Sequence, residues 1–297
     1  MKKNLLLSFL AVATSTVSFA GGSEWSRFSE ISVSAGNTDS RTGGNLTLIE
    51  LESVSDNNGN AVTLSPEMSF TGVDRNGFDQ TMTLTGSAYA HGNWKLARTS
   101  SEGMLANSFY SPDNPWLLDS GTNEYNPDGV PDIIDFAARA GWNEVLLFGG
   151  TATGYRARAI YNLSGINTGE AFTYMNVQFG TNPSDFHFWA EGTWNETVTS
   201  EFFNVGSEAL PWHTSIVSTF QPQTQYYGDG TDILGQSLWN NSLELEGFEV
   251  FDENGVLATH VTITGLSGET YAIVPEPASV LGFALALGFL GLYRRRQ

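Results

Sequence analysis

The sequence predicts a mainly β protein whose central part folds as an antiparallel β-sandwich or jelly roll. Apolar and polar residues alternate with period two in seven segments, and many of the apolar residues are β-branched or aromatic. Such alternation is typical of strands with one buried face. Asn-Gly pairs that suit tight turns separate some of these segments, and 32 of the 297 residues are glycine, as a fold with many turns requires.

The predicted strands and turns follow one another along most of the chain. The strands are residues 28–33, 46–51, 82–85, 172–179, 186–194, 243–251 and 260–264. The turns are Asn57-Asn58-Gly59, Arg75-Asn76-Gly77 and Glu253-Asn254-Gly255. Glycine accepts the positive φ that such turns need, and strands at this spacing predict antiparallel pairing.

One short helix is predicted inside this β region. Pro131 suits the first turn of a helix over residues 131–140, and Gly141 suits its end. A stretch rich in Pro, Asp and Asn precedes it, so we interpret residues 111–141 as a loop with one helix, inserted between strands. An alternative interpretation of the same stretch is a boundary between two smaller β domains.

The N-terminus has the pattern of a secretory signal peptide. Lys2 and Lys3 precede an apolar run at residues 5–12, and Ala20 closes a small-x-small cleavage site. We therefore predict a signal peptide at residues 1–20, cleaved after Ala20, with the Sec translocon as the export partner. A permanent membrane anchor is the alternative, but polar residues interrupt the apolar run before Ala20.

The C-terminus combines a stiff box, an apolar run and a basic end. Pro275 and Pro277 fix two φ angles at about −65° and remove two backbone donors, so we expect an extended segment outside any sheet. Residues 278–293 carry no charge, and as a helix they would be about 24 Å long, slightly short of a bilayer core of about 30 Å. The arginines at 294–296 favour the cytoplasmic side. We predict a single transmembrane helix; the alternative is a buried helix of a soluble core.

This order of features resembles the PEP-CTERM sorting tail of proteins from Gram-negative bacteria. The resemblance is confined to residues 274–297. It implies recognition by exosortase, a membrane-embedded transpeptidase-like enzyme, then removal of the tail and delivery of the body to the cell surface or an exopolysaccharide matrix. Carried over to this chain, the sorting box is Val274, Pro275, Glu276 and Pro277, and the stop-transfer cluster is Arg294, Arg295 and Arg296.

The charge of the exported part excludes several classes of partner. The chain has 13 Lys and Arg and 32 Asp and Glu, and five of the basic residues lie in the two targeting segments. Residues 21–277 therefore have eight basic and 32 acidic side chains, a formal charge of −24. This charge disfavours nucleic acid and anionic lipid as ligands. Because the chain has no cysteine, the predicted ectodomain at 21–273 must rest on its own core without disulfide bonds.

One acidic cluster has two interpretations. Asp128, Asp132 and Asp135 lie before and within the predicted helix start. Oxygen ligands of this kind bind Ca²⁺, the only cofactor that the sequence suggests. Acidic side chains in a first helical turn also cap the helix and favour its dipole, so a calcium site and a helix cap both stay open.

The aromatic segment at 186–194 also has two interpretations. In a strand, His187, Trp189 and Glu191 share one face. An exposed Trp beside a carboxylate can stack on a sugar and accept its hydrogen bonds, which makes Trp189 and Glu191 candidate carbohydrate-binding residues. The alternative is that both faces of the strand pack inside the protein. A glycosidase pair of Glu191 and Glu196 is also conceivable, and it needs carboxylates about 5–9 Å apart.

The sequence has no His-Glu-x-x-His, Gly-x-Ser-x-Gly or phosphate-loop motif. We therefore expect a non-catalytic, acidic protein of the cell surface or exopolysaccharide matrix. Its precursor would be anchored transiently in the inner membrane through residues 278–293 and sorted by exosortase, and the exported protein would contact polysaccharide. A lectin-like carbohydrate-binding module and a secreted β-sandwich glycoside hydrolase are the alternatives.

Overall fold

The computed structural model describes residues 25–37, 47–73, 79–107, 133–151, 153–206, 208–222 and 232–274. These residues form sixteen strands and no helix, and the strands make two antiparallel sheets of eight strands each. The prediction of a mainly β protein is therefore confirmed.

The first sheet, sheet A, has six strands in one row and two at its side. In chain order its strands are β1 Ser26–Asn37, β2 Thr47–Asp56, β7 Ile133–Gly149, β9 Ala171–Phe179, β10 Asn182–Phe188, β13 Leu210–Phe220, β15 Thr262–Gly265 and β16 Thr270–Tyr271. The spatial order is β10-β9-β13-β7-β1-β2, with β15 paired to β7 and β16 paired to β15.

The second sheet, sheet B, is built in the same way. Its strands are β3 Val62–Leu64, β4 Glu67–Val73, β5 Asp79–Asn93, β6 Leu96–Asn107, β8 Arg156–Gly169, β11 Gly192–Thr199, β12 Phe203–Asn204 and β14 Ile233–Phe251. The spatial order is β11-β8-β14-β6-β5-β3, with β12 paired to β8 and β4 paired to β5.

The core lies between the two sheets, which pack face to face. Alternate side chains such as Ile31 and Val33 of β1 or Leu84 of β5 are fully buried, and the buried apolar cluster extends from β1 to β16. Burial of each large side chain contributes about 1.5–3 kcal/mol. A core of this extent explains how the described part of the chain holds together without a disulfide bond.

Hydroxyl groups also join the two sheets inside the core. Thr173 of β9 meets Ser237 of β14 at 2.6 Å between their hydroxyl oxygens, and the hydroxyl of Thr99 in β6 lies 2.7 Å from that of Ser218 in β13. A buried polar group is costly without a partner. These pairs therefore satisfy each other and fix how the sheets face one another.

The helix predicted at 131–140 is wrong, because strand β7 occupies Ile133–Gly149. The segment has a period of two: Ile134, Phe136 and Ala138 are buried, whereas Asp135 and Arg139 lie on the opposite face. Pairing with β1 on one side and β13 on the other satisfies the backbone of β7. This pairing and burial outweigh the helix propensity of the alanines.

The predicted turns have different outcomes. Gly255 has a φ of 78° and closes a tight turn after β14, as expected. Gly59 has a φ of 73°, but the turn before it leads from β2 in sheet A to β3 in sheet B, so it crosses between sheets instead of forming a hairpin. The turn predicted at 75–77 lies outside the described residues.

Several predictions concern segments outside the described residues. These are the signal peptide at 1–20, the inserted loop up to residue 132 and the tail from Pro275 to the C-terminus. Within the described ranges, no helix has the length and apolar character needed to cross a membrane.

Candidate functional site

A groove of about 530 Å³ crosses the outer face of sheet B. Its floor contains one glycine from each of four neighbouring strands, and these glycines are in register. They are Gly86 of β5, Gly103 of β6, Gly235 of β14 and Gly169 of β8. The groove therefore runs across the strands, nearly perpendicular to the chain direction.

The inner side of this glycine row contacts an aromatic ring. A Cβ atom built on Gly103 would lie 2.1 Å from the ring of Phe220, and one built on Gly235 would lie 2.6 Å from the same ring. Phe220 of β13 is fully buried, so its ring fills the space that side chains on β6 and β14 would otherwise need. The packing of the core thus explains why glycines occupy these positions.

A polar row forms one side of the groove. Glu102 of β6 lies between Ser87 of β5 and Gln236 of β14 in the strand register, and Thr168 of β8 continues the row. Ser87 Oγ donates to Glu102 Oε1 at 2.8 Å, and Gln236 Nε2 donates to Glu102 Oε2 at 3.0 Å. The carboxylate is therefore held in one orientation on the surface.

An apolar row forms the other side. Met104 of β6 pairs in register with Thr85 of β5 and with Leu234 of β14. Leu234 is 60 % exposed and Met104 is 37 % exposed. Large exposed apolar side chains beside an ordered polar row give the groove two chemically different walls.

Glu191 lies at the end of the groove. Its Oε1 accepts a hydrogen bond from the backbone N–H of Gly169 at 2.9 Å, and Gly169 lines the groove. The segment predicted as one strand at 186–194 is broken here, because β10 ends at Phe188 and β11 begins at Gly192. Residues 189–191 thus connect sheet A to sheet B around the edge of the molecule.

Trp189 is the exposed aromatic side chain of this connection. It is 54 % exposed, and its ring stacks on His187 at 5.3 Å between centroids and lies tilted against Phe172 at 4.3 Å. Phe188 is buried in the core, so the predicted alternation holds up to that residue. It fails at Ala190, which is exposed in the turn instead of sharing the buried face.

Glu191 and Glu196 are not brought together as a pair. Glu191 precedes β11 and Glu196 lies in its middle, and the four extended steps from Gly192 to Glu196 alone separate those Cα atoms by about 13 Å. That separation is larger than the roughly 5–9 Å between the carboxyl groups of glycosidases. The geometry therefore does not favour these two residues as acid and nucleophile.

The acidic cluster is only partly described. Asp128 and Asp132 lie outside the described residues, and Asp135 is in β7, so it cannot cap a helix. Burial raises the pKa of Asp135 to about 6, and a hydrogen bond from Gln221 opposes the rise. The described ranges contain no group of three His, Asp or Glu side chains placed to hold a metal ion, and the calcium site stays a prediction.

Sequence analysis did not identify the groove residues Glu102, Met104, Leu234 and Gln236. Each lies in a segment without a motif, and they become neighbours only through the register of β6 and β14. The glycines of β5, β6, β8 and β14 are visible in the sequence, but their alignment depends on pairings between residues as far apart as 103 and 235.

Comparisons with known proteins give no family assignment. Neither the protein-family models nor the curated protein sequences contain a match to this chain. The function must therefore be argued from the residues themselves.

Proposed function

We propose that this chain is an exported, non-catalytic protein of the cell surface or exopolysaccharide matrix, sorted by exosortase through its C-terminal tail. The signal peptide at 1–20 would direct export, and residues 278–293 would anchor the precursor in the inner membrane until the tail is removed. One observation carries the proposal: the order of Val-Pro-Glu-Pro box, apolar run and terminal arginines at residues 274–297.

The position of the box relative to the fold supports the proposal. The backbone N–H of Val274 donates to Phe248 O at 2.8 Å, and Phe248 N–H donates to Ala272 O. Val274 is thus tied to the described body, and Pro275 follows it directly in the sequence. Because neither proline of the box has an N–H to donate, neither can pair through it with a sheet.

Deletion of residues 275–297 tests the sorting proposal and leaves the Val274–Phe248 hydrogen bond intact. We expect the truncated protein to appear in the medium or periplasm, whereas the full chain is retained in the envelope. Thermal melting of both proteins checks that the deletion leaves the body folded. Unchanged envelope retention of the truncated, folded protein would contradict the proposal.

A carbohydrate-binding module is the second candidate function. The exposure of Trp189 and the hydrogen bond between Glu191 and Gly169 favour it. An aromatic ring that is half exposed and stacked on other rings offers a rigid apolar surface to a sugar ring. This function is compatible with the first, since a matrix protein must contact the matrix polymer.

A further inference from the structure

We propose that the groove across sheet B binds a linear, uncharged polysaccharide chain that lies across the strands and reaches Glu191 at one end. The proposal rests on the carbohydrate contact put forward above and names its site and ligand class. It adds Glu102, Gln236 and Leu234 to Glu191, which the sequence suggested.

The spacing of the polar row suits a polymer. Ser87, Glu102, Gln236 and Thr168 occupy one register position on four successive strands. Neighbouring strands lie about 4.8 Å apart, so the row presents one hydrogen-bonding side chain at each such step. This step is close to the length of one sugar ring in an extended glycan, and successive rings would meet successive side chains.

The two walls of the groove match the two kinds of surface on a sugar ring. The carboxylate of Glu102 is oriented by Ser87 and Gln236, and each carboxylate oxygen keeps a second lone pair for a hydroxyl donor. Leu234 and Met104 offer exposed apolar surface on the opposite side of the glycine row. Sugar C–H groups can cover this surface while the hydroxyl groups face the carboxylate.

The charge of the site selects against an anionic polymer. The groove is lined by Glu102 and ends at Glu191, and none of its ten lining residues is Lys or Arg. A polymer of uronic acids would meet two carboxylates here without a compensating cation. A neutral chain avoids this repulsion and uses both carboxylates as hydrogen-bond acceptors.

Trp189 lies close to this end of the site but outside the groove. Only Ala190 separates it from Glu191, which limits the distance between their Cα atoms to about 7 Å. Its indole contacts Phe172 of β9, which faces away from the core because its neighbour Thr173 bonds across the core to sheet B. The indole and the groove therefore lie on the outer faces of different sheets, and the inference concerns the groove.

Binding by the full chain, purified in a mild detergent, tests the inference. The probes are linear neutral glucans, mannans and galactans, a deacetylated amino-sugar polymer as the cationic probe and a polyuronate as the anionic probe. We expect at least one neutral chain to bind, with an affinity that changes little between low and physiological salt because no ion pair forms.

Variants locate the site on the protein. Glu102→Ala is expected to weaken binding of the neutral chain by roughly tenfold or more, which corresponds to about 1.4 kcal/mol, and Trp189→Ala shows whether the indole binds the chain instead. The matched controls are Glu244→Ala, an exposed glutamate on β14 outside the groove, and Trp25→Ala, a tryptophan that is 43 % exposed. Both controls are expected to bind like the unmodified chain.

Three outcomes would overturn the inference: no neutral glycan binds, only the charged probes bind, or Glu102→Ala binds as tightly as Glu244→Ala. If Glu102→Ala keeps its affinity and Trp189→Ala loses it, the glycan binds at the indole and the groove is rejected as the site. Binding in detergent does not depend on export or on the tail. If no glycan binds, the sorting proposal is unaffected. If the sorting test fails, the inference about the groove is unaffected.

Discussion

His213 is a buried residue whose surroundings favour the neutral imidazole. Its Nδ1 lies 2.7 Å from Asn143 Oδ1, and Arg139 lies beside its other ring nitrogen. Burial, and then the charge of Arg139, lower the pKa of His213 to about 3. In an unfolded chain the pKa of histidine is about 6.5, so between these two values only the unfolded state takes up the proton.

Acid is therefore expected to destabilise the protein through His213. Wherever the unfolded state binds more protons than the folded state, lowering the pH lowers the free energy of unfolding. Between pH 7 and pH 5 this single group accounts for about 2 kcal/mol of the loss. We predict that His213→Gln loses less unfolding free energy over this interval than the unmodified chain does. Urea unfolding of the full chain in detergent at the two pH values measures this loss of unfolding free energy.

His187→Gln is the matched control for this prediction, because His187 is exposed. Its loss of stability between pH 7 and pH 5 is expected to equal that of the unmodified chain. The contribution of Asp135 cancels, since all three proteins contain it. An equal loss in His213→Gln would mean that the buried imidazole is not the acid-sensitive group.

The burial and the neighbours of individual side chains could not be predicted from the sequence. His187 and His213 look alike as isolated histidines in a β protein, yet one is exposed on the molecular edge and the other is buried beneath Phe28 and Arg139. The difference depends on contacts between β1, β7 and β13, which no local pattern encodes. Trp189 was identifiable as a candidate because it precedes a carboxylate in an aromatic segment.

The glycine row of sheet B connects core packing to the outer groove. Phe220 lies against both Gly103 and Gly235, so a side chain on either strand must displace the ring. The ring cannot move aside easily, because the second glycine position limits it on the opposite edge. Inserting atoms into such a packed core costs about 1–3 kcal/mol.

We predict that Gly103→Ala destabilises the protein by about 1–3 kcal/mol, measured by urea unfolding. Gly206→Ala is the matched control, since a Cβ atom at Gly206 meets no atom within 4 Å and its φ is unstrained. Its effect is expected to stay within about 0.5 kcal/mol. In the double variant Gly103→Ala/Phe220→Leu the two losses should not add, because the smaller side chain vacates the space.

Full additivity of the two losses, or a Gly103→Ala variant as stable as Gly206→Ala, would contradict the proposed packing of Phe220. Either result would mean that the ring is not confined between the two backbones.

An exposed face made some strands predictable, although β6 and β8 also have one and were not identified. β1 and β9 alternate clearly and were identified, whereas β13 is buried at every residue from Trp212 to Phe220 and has no period-two pattern. In β7 the alternation is present, but Pro131, the alanines and Gly141 also fit a helix. Pairing with β1 and β13 decides between the two, and pairing is a long-range property.

At the scale of the whole molecule, the body and the tail differ in charge. Sheets A and B share one buried cluster that includes Tyr271, and the last backbone hydrogen bond of the described chain is donated by Val274. The acidic charge lies on the body, with eight basic against 32 acidic residues over 21–277, whereas the terminal arginines belong to the tail. The protein that we expect at the cell surface is therefore much more acidic than the full chain.

Processing of the Glu276→Ala variant tests the sorting proposal most directly, because it changes one side chain of the box and leaves the described body untouched. The measurement is the ratio of precursor to shortened protein, followed by immunoblot in a host that contains exosortase. Glu253→Ala is the control, since Glu253 is an exposed residue of the turn after β14. We predict that Glu276→Ala accumulates as uncleaved, membrane-bound precursor while Glu253→Ala is processed normally. Processing of Glu276→Ala at the rate of the unmodified chain would contradict the proposal that the Pro-Glu-Pro box is what exosortase reads.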